Sequence, residues 1–179
     1  GSGKSYVAQN FGYPVFNADE EVAKLYQKNK NVFENLSRKL PKYIHSFPIE
    51  KKEISNAILS NKNNLNKIVK IVHAEIGKKM NIFLKKNKNK KIIILDIPLL
   101  LENKINKKKD ILVFVQSNQS DILKRLKKRK NINNKLIKKF KAIQYSIKYK
   151  KKKSDFIIKN NFTKKSINDG IKSILKEIK

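Results

Sequence analysis

The first five residues constrain this chain most. Gly1-Ser2-Gly3-Lys4-Ser5 reads as the closing half of a phosphate-binding loop, G-x-x-x-x-G-K-[ST]. Glycines at this spacing let successive backbone N–H groups turn onto phosphate oxygens, and the following helix adds the positive end of its dipole. In such a loop Lys4 reaches the β- and γ-phosphates and the Ser5 hydroxyl ligates Mg²⁺. A complete loop opens with a buried strand and a glycine ahead of these residues, so the expectation is a fragment or a late start that lacks the first strand. The competing plain reading is a Gly-Ser leader left by cloning.

A length of 179 residues fits one domain, or one with a small insertion, and 39% apolar residues suffice for a core. No apolar run approaches the ~20 residues of a membrane-spanning helix, the start does not read as a signal peptide, and there is no cysteine for disulfides or thiolate metal sites. The cytoplasm is the expected compartment. The net charge of +30 suggests nucleic acid or an anionic membrane on one reading, and a general Lys/Asn/Ile bias on the other. Only three of the 44 basic residues are arginine (Arg38, Arg125, Arg129), whereas surfaces that read phosphates or bases favour its bidentate fork. The bias reading is preferred: no specific nucleic-acid partner and no membrane association are expected, though the charge would steer anionic substrates.

Val7, Ala8 and Phe11 are spaced for one buried face of a short helix closed by Gly12. Tyr13-Pro14-Val15-Phe16 reads as a short strand ending in Asn17-Ala18-Asp19. A carboxylate just past a strand's carboxyl end lies on the ligand edge of an open α/β sheet, but Asp19 equally suits a helix N-cap. Residues 30–90 carry apolar stripes at helical spacing, from Val32, Leu36 and Leu40 to Ile68, Val72 and Phe83, with Pro41 and Pro48 bracketing a loop. Within them His73 is more simply structural than catalytic. Lys91-Ile92-Ile93-Ile94-Leu95-Asp96 reads as a strand buried on both faces of a parallel sheet. Asp96 at its end is either a Walker-B-like metal carboxylate or a turn residue, and Glu102 is placed to pair with a lysine. Ile111–Val115 is a second such strand, followed by a helix from about Ser120 with Arg125 and Arg129 on one face. A helix from about Asn133 to Lys148, a strand at Phe156-Ile157-Ile158 and a last amphipathic helix complete the chain. This βα alternation predicts an α/β fold: a three-layer parallel sheet with helices on both faces.

Together these motifs resemble the dephospho-coenzyme A kinase family, and the match runs over essentially the whole chain. Gly1 to Ser5 matches the loop's end. Val15-Phe16-Asn17-Ala18-Asp19 is similar to V-I-D-A-D, and Val72-His73 to its L-H-P. Asp96-Ile97-Pro98-Leu99-Leu100-Leu101-Glu102 is similar to D-V-P-L-L-F-E, and Gln144, Lys150 and Asp155-Phe156-Ile157-Ile158-Lys159-Asn160 to Q…K…D-x-V-I-x-N. Asn17 stands where the family has its first Asp, Ala74 where it has Pro, and Tyr6 where Thr is usual. Lys24 lies one residue past a position that carries Arg or His in many members.

The resemblance implies a P-loop kinase domain over 1–179, with residues 30–90 as a helical acceptor-binding insertion and about 129–153 as a helical lid. It implies ATP-dependent phosphorylation of the ribose 3′-hydroxyl of dephospho-coenzyme A, with Mg²⁺ as cofactor. Asp19 and Lys4 would be catalytic. Gly1, Ser2, Gly3, Lys4, Ser5, Tyr6, Arg129, Lys150 and Asn160 would bind ATP, with Ser5 on the metal. Asp19, Lys24, His73, Pro98 and Leu99 would bind the acceptor. The alternatives are another small P-loop kinase acting on a nucleotide or small alcohol, an inactive truncated kinase, and a basic RNA-binding protein without catalysis. The oligomeric state is left open.

Overall fold

The structure, a computed structural model, describes residues 1–128 and 133–178. In chain order its elements are α1 (Lys4–Asn10), β1 (Val15–Asn17), α2 (Ala18–Lys28), α3 (Lys30–Lys39), α4 (Lys51–Ser60), α5 (Lys62–Lys86), β2 (Ile94–Asp96), β3 (Val113–Gln116), α6 (Gln119–Lys127), α7 (Asn134–Ala142), α8 (Ile147–Lys153), β4 (Phe156–Lys159) and α9 (Lys164–Glu177). They form two compact units, Gly1–Val15 with Ile94–Lys179, and Phe16–Ile93.

The first unit is the α/β part. Strands β3 and β4 run parallel, with Val113 opposite Phe156 and Gln116 opposite Lys159. The ladder extends past both ends: the Asp155 amide donates to the Leu112 carbonyl at 2.9 Å, and the Asn160 amide to the Gln116 carbonyl at 2.7 Å. β2 lies beside the approach to β1, where the Ile94 amide donates to the Pro14 carbonyl at 2.9 Å. One core joins these strands to α1 and α9, through Val7, Phe11, Val115, Ile158, Ile167, Ile171 and Ile174. Gly170 marks a close approach of α9 to β4: a Cβ there would lie 3.1 Å from Ile158 Cγ2.

The mixed α/β class is as the sequence reading expects. The single broad sheet is not what the described residues show; the strands pair two by two. The apolar run at Lys91–Asp96 gives only three strand residues, and only Asp96 of these is buried. In β4 burial alternates, leaving Ile157 exposed above a fully buried Ile158. Among the described residues each of these strands has one partner, and neither run is buried on both faces. The helix expected from about Asn133 to Lys148 is two helices. Ser146 interrupts it, its hydroxyl accepting from the Tyr149 amide at 3.2 Å to start α8, because a serine hydroxyl satisfies an N-terminal donor better than it continues a helix.

The second unit is mostly helical. α5 packs against α2, α3 and α4, burying Leu25, Val32, Leu36, Ile44, Ile54, Ala57, Ile58 and Ile68. Buried Asn64 is satisfied by donating to the Ala57 carbonyl and the Ser60 hydroxyl, both at 3.0 Å. The loop bracketed by Pro41 and Pro48 is fastened by Glu53, whose carboxylate accepts from the His45 and Ser46 amides at 2.9 and 3.1 Å. Burial alone would raise the Glu53 pKa. The hydrogen bonds outweigh it and hold the carboxyl below its ordinary value of 4.5.

Candidate active site

Gly3 sits at φ 84°, immediately ahead of α1, and its carbonyl accepts the Val7 amide at 3.0 Å. A Cβ at Gly3 would come within 2.6 Å of Asn160 Nδ2. Glycine is therefore required twice, for the left-handed backbone and for the close approach. The Ser2 carbonyl is held from two sides, by Asn160 Nδ2 at 2.9 Å and by the Ser117 hydroxyl at 3.0 Å. Both residues lie just past the carboxyl ends of the parallel pair, Ser117 after β3 and Asn160 after β4. Asn160 is only 3% exposed. Besides these bonds its Oδ1 accepts from the Phe162 amide at 2.8 Å, helping to hold Phe162 at φ 66°, a region non-glycine residues rarely visit. The Arg125 guanidinium lies 4.4 Å from the centre of the Phe162 ring. Lys4 and Tyr6 are exposed and Ser5 is half-buried.

The other first-unit candidates cluster past β2. Asp96 is buried at the end of β2, a strand that packs against α1. Pro98 and Leu99 are half-buried in the turn that follows, with Leu99 at φ 53°. The lysine expected beside Glu102 is Lys150, at 2.8 Å. The same Glu102 Oε1 accepts the Tyr145 amide at 2.9 Å, and Lys150 Nζ also donates to Gln144 Oε1 at 3.3 Å. Burial would raise the Glu102 pKa, but bonds from Lys150, its own amide and Tyr145, with the Lys150 charge, hold it below the ordinary 4.5.

In the second unit Asp19 is exposed in the first turn of α2. It is not the N-cap. That role belongs to Asn17, whose Oδ1 accepts from the Glu20 amide at 3.2 Å. Lys24 projects from the same helix and pairs with Glu21 at 2.6 Å; Glu21 also reaches Lys79 of α5 at 3.0 Å. The Lys24 bond, opposed by burial and aided by Lys79, holds the Glu21 carboxyl below its ordinary range. His73 is exposed on α5, and such desolvation as it feels lowers its pKa. A groove of about 360 Å³ between α3 and α5 is lined by Val32, Lys39, Lys67, Lys70, Ile71 and Glu75 among others, but not by His73.

The structure thus joins the Gly1–Ser5 segment directly to Asn160, through Ser2, and packs β2, which ends in Asp96, against α1. Asp19, Lys24 and His73 belong to the other unit, and Arg129 lies outside the described residues. Ser117 and Phe162 escaped the sequence reading: a serine after a strand and an aromatic two residues past Asn160 carry no pattern until the chain's two ends are brought together.

Among the described residues no cluster of three or more His, Cys, Asp or Glu side chains could cage a metal. The hard oxygens of Ser5 and Asp96 still suit Mg²⁺, which keeps several waters and takes only one or two protein ligands when phosphates supply the rest.

The family model described as dephospho-CoA kinase matches residues 1–166. The dephospho-CoA kinase of Wolbachia pipientis wMel is 32% identical over 180 residues, covering 98% of this chain and 92% of the relative. That of Bartonella henselae is 31% identical over 183 residues, covering 97% and 93%. A crystal structure from Thermus thermophilus superposes with a TM-score of 0.76 at 20% identity, covering 99% of this chain and 93% of that one. At that identity the likeness speaks for the fold alone.

Proposed function

The chain belongs to the dephospho-CoA kinase family, and on that premise we propose which of its residues carry the transfer. The enzyme uses ATP to phosphorylate dephospho-CoA, giving CoA. The acceptor atom is the ribose 3′-hydroxyl. The work of such a transfer is positioning and charge neutralisation. Lys4 neutralises the β- and γ-phosphates beside backbone N–H groups of Gly1 to Ser5. Ser5 would hold Mg²⁺, with Asp96, at the end of the strand that packs on the same helix, as a further oxygen donor; a bound ion would supply charge neutralisation for the phosphates. Asp19 orients the 3′-hydroxyl and takes up its proton. Tyr6 and Asn160 lie on the nucleotide side. Arg129 and Lys150 belong to a lid over about 129–153 that excludes water. Lys24, His73, Pro98 and Leu99 contact the acceptor, with the helices of 30–90 as its binding part. A parallel sheet flanked by helices on both faces, within one kinase domain over 1–179, belongs to this reading, as does a cytoplasmic location. No helix among the described residues is long and apolar enough to cross a membrane.

The observation that carries the reading is the grip on Ser2. Two side chains from the carboxyl ends of parallel strands fix the phosphate loop at Ser2, on the edge where α/β sheets bind ligands. A coupled ATP-consumption assay tests it, with dephospho-CoA, AMP and shikimate as parallel acceptors. Turnover with dephospho-CoA alone is expected. Turnover with another acceptor instead keeps the phosphate loop and overturns the substrate.

A further inference from the structure

The Lys150–Glu102 pair differs in kind from Lys24–Glu21 and Lys78–Glu75. Those join residues three apart on one helix, at lysines 56% and 69% exposed, where ion pairs stabilise little. Lys150 and Glu102 are 18% and 9% exposed and come from different parts of the first unit. A pair this shielded is costly to desolvate unless further hydrogen bonds support it, and here the supporting bonds have a particular arrangement. Glu102 Oε1 takes the Lys150 ammonium and the Tyr145 amide together. The amide belongs to the corner between α7 and α8, so one carboxylate fastens that corner to the turn after β2. The ammonium has three N–H donors. One goes to Glu102 and one to Gln144, which fixes the direction of the third.

We infer that Glu102 is a positioning residue for the phosphoryl transfer: it anchors the start of α8 and holds the Lys150 ammonium so that one N–H is presented to an ATP phosphate oxygen. The inference rests on the reading of Lys150 as an ATP ligand. In a chain crowded with lysine, charge alone gives no reason to prefer one lysine over its neighbours. The sequence Lys150-Lys151-Lys152-Lys153 offers four in succession, and Glu102 singles out the first. A flexible surface lysine loses rotamer freedom when it grips a phosphate. Lys150 has already lost it in forming the pair, so binding orders less.

The test is a double-mutant cycle on the full chain with Glu102→Gln, Lys150→Met and both together, reading KM for each substrate, kcat, mant-ATP affinity and Tm. Gln keeps an acceptor for the Tyr145 amide and removes the charge. We expect E102Q to raise KM for ATP about tenfold with little change in KM for dephospho-CoA, and to add nothing in the Lys150→Met background. Glu102→Asp, which keeps the charge on a shorter arm, is expected between wild type and E102Q, and takes E102Q's place in the cycle if that variant does not fold. Additive losses, or losses shared equally by both substrates and tracking a fall in Tm, overturn positioning and leave Lys150 as an ATP ligand. A Lys150→Met enzyme with unchanged KM and mant-ATP affinity overturns the reading of Lys150 itself, and the inference with it. A wild type inert towards dephospho-CoA overturns the substrate reading before either.

Discussion

Asn160 shows how much one side chain does in this molecule. It donates to Ser2, accepts from Phe162 and is almost wholly buried. Asn160→Ala leaves the Ser2 carbonyl one donor short and the Phe162 amide without its acceptor, a cost of about 1–3 kcal/mol that thermal or urea unfolding will read. Asn160→Asp keeps the acceptor but loses the donor and sets a negative charge beside the phosphate loop. Its ATP affinity is expected to fall further than that of Asn160→Ala, measurable with mant-ATP. Asp19 is exposed, so its removal should act on rate more than on stability. Asp19→Ala is expected to keep less than about a tenth of normal kcat with Tm nearly unchanged, and turnover above that level removes Asp19 from the role of base. At this scale the motif residues were legible because loop chemistry fixes their types and spacing. What holds them was not. Asn160 reaches Ser2 across 158 positions, and nothing in the local pattern at either end announces the other. Lys24, expected at the acceptor, is paired along its own helix with Glu21, a partner that the local pattern did not single out.

At the level of elements, α9 and β4 depend on Gly170. Glycine in a helix interior costs about 1 kcal/mol relative to alanine, and here it lets the helix settle onto Ile158, itself 1% exposed. Gly170→Val forces branched carbons into that contact and should destabilise the protein by about 1–3 kcal/mol, read from urea unfolding. Glu53 ties α4 to its preceding loop through a carboxyl held below 4.5. Because the folded pKa is the lower one, its stabilisation is complete above the unfolded value and lost as pH falls through the folded one. Glu53→Gln should therefore lower Tm at pH 7 and flatten the decline of Tm as pH falls through and below the ordinary carboxylate range. The helices from α2 to α5 were readable from their apolar stripes, since a helix needs only its own periodicity. The strands were overread: Ile92 and Ile93 are as apolar as Ile94, but strand length depends on a partner's hydrogen bonds, and those come from elsewhere in the chain. The break at Ser146 was legible in principle as a capping residue, and the apolar periodicity around it hid it.

For the whole molecule, the α/β class followed from the alternation of apolar runs, while the division into two units depended on how residues 16–93 pack among themselves, which composition does not encode. The net charge of +30 acts at this scale. Both substrates are anionic, so kcat/KM should fall several-fold between about 0.05 and 0.5 M salt as screening shortens the field, with little change in kcat. A steep salt-sensitive RNA affinity without such a dependence of kcat/KM would favour the binding-protein alternative. The grip on Ser2 also has a consequence in time. Ribosomes deliver Ser2 well before Asn160, so the Asn160 side of the grip is missing while the residues between them are made. Ribosome-bound chains halted before Asn160 should fail to retain mant-ATP, and those halted after α9 has emerged should retain it. Possession of nucleotide would then mark a chain in which Asn160 has reached Ser2, and a protease competing with ATP would meet mainly chains in which it has not.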